Sequence, residues 1–287
     1  MDEKTFLKES DYFNVWRYDY RLFRNILNFA KLKNLNVFGI NLDRQIVSDV
    51  FRAGNTDGLS REIKTNLVAD RNLDLPGYQE RLSVVHNAHI SGKHGNGASS
   101  GFIQSQALWD ETMASNIVSF LKKYPDHRMV VIAGNQHTRK DSGIPPRVLA
   151  RLPVAQASVI NIYEDVYPEE IQQTSDYFFL SDNIVLPQSP KIGLILSQTL
   201  EGSVVEGLTI DELSPHGKAK EAGLLVGDII TRLDKARITD MADLRIAMID
   251  AQVGETIEVE VYRGNEQTQK HVFHVELTIP QMPIGHP

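Results

Sequence analysis

The chain has no cysteine, which removes disulfides, thiolate zinc sites and cysteine nucleophiles together. A cysteine-free protein is at home in either redox environment, so this absence leaves the compartment open. No apolar run approaches the roughly 20 residues that a membrane-spanning helix needs. The opening MDEKTFLKESDYF has neither the basic stretch nor the apolar core of a signal peptide. Positive charge is not in excess either. The 30 Lys and Arg stand against 37 Asp and Glu, a net −7 that argues against a nucleic-acid binder. Repeats of fixed period and low-complexity tracts are also missing. What remains is an ordinary globular composition, 41% hydrophobic and 23% charged, in 287 residues. That length suits one large domain or two of common size.

The acidity is uneven. Residues 1–186 carry 21 basic and 22 acidic side chains, whereas residues 187–287 carry 9 and 15. The change falls at LPQSPK (186–191), a proline-containing polar stretch between apolar runs, which is the usual chemistry of a domain boundary. This predicts a domain over 1–186, a second over 187–280 and a tail over 281–287.

In the first segment, Tyr12, Trp16, Phe23, Leu27 and Ala30 fall on one face of an amphipathic helix over 12–33. VFGI (37–40), MVVIA (129–133), SVINIY (158–163) and DYFFL (176–180) read as buried strands. Helices are expected at Gln45 to Ala53, from Pro76-Gly77 to the histidines at 86 and 89, and from about Phe102 to Lys123. SGKHGNGASSG (91–101), rich in glycine and serine, reads as a loop. Strands alternating with helices point to a layered α/β domain with a mostly parallel sheet.

The strand ends carry the chemistry. VFGI runs into Asn41 and Arg44, MVVIA into Gly134, Asn135 and His137, and SVINIY into Glu164 and Asp165. Ligands in open parallel sheets bind beyond the carboxyl ends of the strands, where such side chains would converge. The alternative is that strand-to-helix loops are polar anyway and that Asn41 caps a helix. The long helix adds a hint of its own. Its apolar stripe (Ile103, Ala107, Ala114, Ile117, Leu121) is interrupted by Asp110, with Glu111 on its shoulder and Gln106 one turn before. Burying carboxylates is costly unless they are paired or bound to a cation. Either the helix lines a wet cleft or it is rotated so that both acids are solvated. Such a pair opposite the strand-end His137 suits a divalent metal, held by His137 and Glu111, or acid–base work. His86, His89 and His94 are weaker ligand candidates. GASSG (97–101) matches G-x-S-x-G, but the preceding HISGKHGN cannot be the buried strand a nucleophile elbow requires.

GINLDRQIV (39–47), QALWDETMA (106–114) and AGNQHTRKDSGIPPRV (133–148), with WRYDY (16–20) before them, resemble the ChaN-like haem-binding proteins of the Tiki/EreA/ChaN superfamily. The resemblance covers most of residues 12–180. It implies an α/β fold and a bacterial envelope protein, often a lipoprotein, tied to haem or iron acquisition. It implies cleft positions at Asn41, Arg44, Asp110, Glu111, Met113, Asn135 and His137. Related branches include metal-dependent proteases and erythromycin-esterase-like hydrolases. The family's opening strand, with its Gly-Glu-x-His motif, has no match in residues 1–287, so a fragment or an internal translation start is expected. Haem needs an axial donor such as histidine or tyrosine, for which His137 and Tyr20 are the choices.

From Lys191 the pattern changes to short alternating strands: 192–197, 203–211, 228–233, 256–263 and 270–277. A short helix is expected over HGKAKEAGL (216–224), a longer one over MADLRIAMIDA (241–251) with Asp240 as N-cap, and a turn at Arg263-Gly264-Asn265. SPHGKAKEAGLLVGDII (214–230) makes this order resemble an HtrA-like PDZ domain, a small mixed β/α module covering about 190–277. The resemblance implies that the turn Lys191-Ile192-Gly193-Leu194 holds a peptide carboxylate in a nest of N–H groups. The strand edge through Leu194, Ile195 and Leu196 would pair with the peptide, and Leu244 and Met248 would wall its side-chain pocket. The alternative for Leu244 and Met248 is ordinary core packing. The module's acidity should disfavour acidic peptides. Such modules often accompany a serine protease, but Gly-Asn-Ser-Gly-Gly is absent, and GNGAS (95–99) does not replace it.

The leading expectation is a non-enzymatic protein of the periplasm or cell envelope, binding haem in the first domain and extended or C-terminal peptides in the second, with a homodimer admitted. The alternatives are a metal-dependent hydrolase or protease to which the PDZ domain presents substrate, and a PDZ scaffold with an inert first domain.

Overall fold

The computed structural model describes residues 1–68, 71–90, 99–162, 171–182, 184–264 and 269–279, with only the backbone at 66, 88–90 and 171. The expectations for His94, Glu164, Asp165 and Asn265, and for the side chain of His89, lie outside the described residues. Two compact units emerge: Ile26–Ile184, and Met1–Asn25 together with Val185–Pro287. The second boundary lies close to the proline-flanked stretch. The first 25 residues, however, group with the C-terminal segment rather than with the 1–186 domain expected from the sequence.

The helices in chain order are α1 (Glu3–Glu9), α2 (Tyr12–Val15), α3 (Arg24–Leu32), α4 (Arg44–Ala53), α5 (Arg61–Asn66), α6 (Tyr78–Ile90), α7 (Ser99–Lys123), α8 (Ile144–Arg151), α9 (Ile171–Thr174) and α10 (Met241–Ala247). The strands are β1 (Val159–Ile162), β2 (Tyr177–Leu180), β3 (Leu194–Gln198), β4 (Leu208–Leu213), β5 (Ile229–Leu233), β6 (Ala236–Arg237), β7 (Thr256–Arg263) and β8 (Gln269–Glu276).

In the unit 26–184, α7 is the central element, with α4, α6 and α8 packed around it. Asp43 caps α4 through the Gln45 N–H at 2.6 Å, and Gly54 ends it. Tyr78 and Leu82, one turn apart on α6, pack on Ile103 and Ala107 of α7. Ile144 and Val148 of α8 pack on Met113, Ala114, Ile117 and Val118. Prolines stand in the first turn of α8, where a missing N–H leaves no helical bond unmade. Residues 99–101, expected in a loop, are the first turn of α7.

The sheet of this unit departs from expectation. β1 and β2 pair in parallel, Val159 opposite Tyr177 and Ile162 opposite Leu180. VFGI and MVVIA are not strands. Ile40, Met129, Val131 and Ala133 do pack against the α7–α8 core, while Val130 between them is 89% exposed. The alternation is therefore real, but it registers contact with helices. A strand needs a neighbouring main chain to bond with, and alternation alone does not supply one.

The single helix expected over 12–33 is broken into α2, a 3-10 turn at Tyr20–Leu22 and α3. Arg17 adopts a left-handed φ of 66°, and the Asp19 carboxylate accepts the Arg21 N–H at 3.0 Å, which diverts the backbone from a continuous helix. Within the second unit, α1 packs on α10. Leu7 is 1% exposed, and the rings of Tyr12, Trp16, Tyr20 and Phe23 form one aromatic cluster. Arg24 binds Glu3 and Asp250, each at 2.7 Å.

The same unit holds an antiparallel sheet ordered β3-β4-β5-β7-β8, with β6 paired to β5. Its core joins Leu208, Ile210, Leu224, Ile230, Val259, Val261 and Val275. Arg263 closes on the buried carboxylate of Asp228 at 2.6 and 2.7 Å, tying the end of β7 to the start of β5. The expected helix over 216–224 is a run of turns instead, and α10 stops at Ala247, short of the expected 251.

Candidate functional site

Asp110 and Glu111 lie in the middle of α7 and are both buried, at 2% and 1% exposure. Two buried carboxylates persist only with partners, and each has its own set. Asp110 Oδ1 stands 2.6 Å from His137 Nδ1, and Asp110 Oδ2 accepts the Tyr78 hydroxyl at 2.9 Å. The Arg147 guanidinium lies 4.0 Å from the same oxygen. Burial, then the Asp110 charge, pushes the Tyr78 phenol well above its ordinary range, so it stays a hydrogen-bond donor.

His137 follows the extended 129–133 run in a tight loop. Its N–H donates to Gly134 O at 2.8 Å, and its carbonyl accepts the Ile144 N–H at 2.7 Å. Gly143 passes so close that a Cβ there would lie 2.2 Å from His137 O, a position only glycine can hold. The Trp109 indole meets the imidazole edge-on, with ring centroids 5.8 Å apart. The imidazole, 20% exposed, is thus held through Nδ1 and by a ring contact, with Nε2 outside the carboxylate bond. A carboxylate on one ring nitrogen fixes the tautomer and makes the other nitrogen a better base or ligand.

Glu111 serves a different purpose. Its carboxylate takes Arg147 Nε and the Asn72 N–H, each at 2.9 Å, and the Arg151 guanidinium. Arg147 spends its remaining donors on the carbonyls of Ser142, Gly143 and Asn72 and stacks on Tyr78 at 4.5 Å. With its oxygens consumed by guanidinium groups, Glu111 is not free to share a metal with His137. Among the described residues, no cluster of three His, Asp or Glu is arranged around a metal position.

The remaining expected site residues scatter. Asn41 is exposed and accepts its neighbour's N–H at Leu42, and Arg44 is exposed at the start of α4. Neither contacts the dyad. Met113 is a core residue, 4% exposed. Asn135 pairs its side-chain amide with the main chain of Asn161 in β1, at 2.6 Å to the carbonyl. Tyr20 belongs to the other compact unit, where it is buried and donates to Glu3 at 3.2 Å. Burial and the Glu3 charge push its phenol up to about 12, so it is not a ready phenolate ligand. His86 is buried against Phe102. The residues that sequence reasoning missed are Tyr78, Arg147 and Arg151. The stripe Ile144, Arg147, Val148, Arg151 did carry a signal: guanidinium groups on the apolar face of a helix require buried acids opposite.

In the second unit, β3 is at the edge of the sheet among the described strands. The Lys191 main chain is committed to Thr278, whereas the N–H groups of Ile192 and Gly193 donate to no described residue. Gly193 has φ +85°, and a Cβ on it would lie 2.7 Å from the Cα of Gly217. Leu194, Leu196, Leu244 and Met248 are half-buried on the core of the unit, Ile192 is buried and Ile195 is exposed. Leu244 and Met248 thus pack on the same core as Leu194 and Leu196, the ordinary packing that the sequence also allowed for them.

Comparison with known proteins also separates an N-terminal from a C-terminal region, but it counts residues 1–25 with the first. Residues 1–148 match the family model described as haem-binding uptake, Tiki superfamily, ChaN, and residues 190–272 match the PDZ domain model. The serine protease Do-like HtrA of Lactobacillus helveticus is 30% identical over 73 residues, 25% of this chain and 18% of that protein. The chain thus spans less than a fifth of that curated relative. An HtrA-type protease AlgW solved with a decapeptide is 22% identical, covering 33% of this chain and 31% of that chain at a TM-score of 0.30. The HtrA3 PDZ domain bound to a phage-derived ligand is 22% identical, covering 33% of this chain and 89% of that one at a TM-score of 0.28.

Proposed function

Because the chain belongs to the ChaN-type haem-binding uptake family of the Tiki superfamily and carries a PDZ domain after that region, we propose that it binds haem through His137 and extended peptides through the β3 edge, as an envelope protein of haem or iron uptake. The observation that carries the haem reading is the Asp110–His137 bond at 2.6 Å. Haem, when bound, would supply an iron that takes a nitrogen or oxygen donor, and His137 would be the residue to hold it. Asp110 holds Nδ1, Tyr78 holds Asp110 and Trp109 flanks the ring, so Nε2 is presented in one orientation. Tyr20, with its phenol committed to Glu3, is not retained as a ligand.

Haem titration of the full chain tests this. A saturable Soret shift is expected, weakened at least tenfold in His137→Ala; an unchanged titration in that variant would remove His137 from the site. For the second unit, the N–H groups of Ile192 and Gly193, which donate to no described residue, at the foot of an edge strand support carboxylate capture and strand addition. Fluorescence anisotropy with a peptide ending in an apolar residue should show binding that is lost when its C-terminus is amidated.

The dyad also suits a general base, which supports a second reading as a hydrolase. Its test is turnover of ester and peptide substrates that disappears in His137→Ala. Dependence on a divalent metal is not part of that reading, since Glu111 is held by Arg147 and Arg151.

A further inference from the structure

Most guanidinium groups around the dyad are paired: Arg139 with Asp141, and Arg147 and Arg151 with Glu111. Arg81 on α6 is the exception. Its Nη1 donates to Gln136 Oε1 at 2.6 Å and its Nη2 to Ser142 Oγ at 3.2 Å, both neutral acceptors. Its Cζ lies 5.4 Å from the centroid of the Tyr78 ring, whose hydroxyl holds Asp110. Among the described residues no carboxylate lies within ion-pair distance of it, and its buried Nε has no partner. Burial, followed by the like charge of Arg139, lowers its pKa, and the more distant charges of Asp110 and Asp141 offset this only in part.

A half-buried guanidinium with unused donors is an expensive feature unless something negative completes it. Arg81, Arg139, Arg147 and Arg151 outnumber Asp110, Glu111 and Asp141, so the network has one more guanidinium than carboxylate. Gln136, which Arg81 holds, is exposed and immediately precedes His137 in the chain. Arg81 is thus bonded to the loop that carries His137, and among the described residues it has no carboxylate in ion-pair contact.

We propose that Arg81 is the anion-recognition residue of the His137 site and takes a carboxylate carried by the ligand. On the haem reading, on which this rests, that group is a propionate. A guanidinium matches a carboxylate with two parallel N–H donors; with Nε buried, these would be Nη1 and Nη2, which now hold Gln136 and Ser142. Gln136 is the group that gives way or shares the ligand oxygen.

The test separates carboxylate recognition from iron ligation. The full chain is titrated with metal-free protoporphyrin IX and with its dimethyl ester, which differ only in the two carboxylates. The free acid is expected to bind about tenfold or more tightly than the ester, the scale of one charge-assisted hydrogen bond. In Arg81→Gln that ratio should fall to near one with ester affinity unchanged, and Arg81→Lys should restore part of it. Because each ratio is measured within a single variant, a loss of folded fraction cancels. Equal affinities in the wild type, or an undiminished ratio in Arg81→Gln, would overturn the assignment while leaving haem binding standing. Binding of neither porphyrin nor haem would overturn the haem reading and this inference together.

Discussion

Lys8, near the start of the chain, places its ammonium 2.6 Å from the carboxylate of Asp243 on α10, 235 positions away. Asp243 is buried, and it also takes the Thr239 N–H and hydroxyl. Burial pushes its carboxyl up, but the bonds from Lys8 and Thr239 outweigh this and hold it below the ordinary range. A depressed carboxylate contributes stability above its unfolded pKa of about 4 and loses that contribution as pH falls through the lower folded value. Lys8 is 61% exposed, so solvent screens the pair. Lys8→Met is expected to destabilise by no more than about 1 kcal/mol at neutral pH. The deficit should stay constant above about pH 4 and shrink below it. Denaturant melts at a series of pH values check this; a deficit that grows on acidification contradicts it.

The N-terminal segment should be part of the C-terminal unit in energy as well as in contacts. Leu7 is almost fully buried where α1 meets α10. Leu7→Ala is expected to cost about 2–4 kcal/mol, by transfer and cavity terms. In calorimetry of the full chain, the transition affected should be the one that a bound peptide raises. A shift confined to the transition that haem raises would contradict the observed grouping.

Asp110→Asn keeps the shape of the side chain but removes the charge that orients His137. Haem affinity should fall about ten- to a hundredfold, the usual effect of losing a ligand's supporting carboxylate. Tyr78→Phe, which removes only one donor to Asp110, should have a smaller effect in the same direction. Soret titrations of the two variants rank them, and the reverse order would mean that Tyr78 acts independently of the dyad.

Arg147 carries the opposite kind of energy. Removing one member of a buried ion pair leaves the other charge unmatched, so Arg147→Ala should destabilise by about 3–5 kcal/mol. Glu111→Gln, which leaves guanidinium groups with other acceptors, should cost less. Urea midpoints compared across the two variants decide the point.

Gly193→Ala combines a left-handed φ with a steric overlap on Gly217. The conformational strain alone is about 1–2 kcal/mol, and backbone on the other side of the contact cannot move aside like a side chain. Peptide affinity should drop more than stability does, because the turn carries the N–H groups of Ile192 and Gly193. Anisotropy and a thermal melt on the same sample separate the two; normal affinity would exclude the turn from the proposed peptide site.

Much of this was legible in the chain itself. The stripe of α7 singled out Asp110 and Glu111, though it left open whether they lined a wet cleft or were solvated, and they are in fact buried; the 129–133 run led to His137, and the strands of the C-terminal unit lay near the alternating runs. These features are local: periodicity over a few turns states which face is buried. Partners are not local. Glu111 looked like a metal ligand until Arg147 and Arg151 closed on it, and Asn41 and Arg44 shared a motif with the site but no contact. Likewise VFGI and MVVIA have the composition of strands, yet a strand exists only when a second main chain supplies its hydrogen bonds. Spacing thus marked the apolar faces and the succession of C-terminal strands, which resembled a PDZ domain, while the pairing of charges, the grouping of residues 1–25 with the C-terminal unit and the extent of the sheet were decided by tertiary contacts. The energy of a buried charge or an extended segment depends on what stands opposite it, and sequence spacing alone does not encode that.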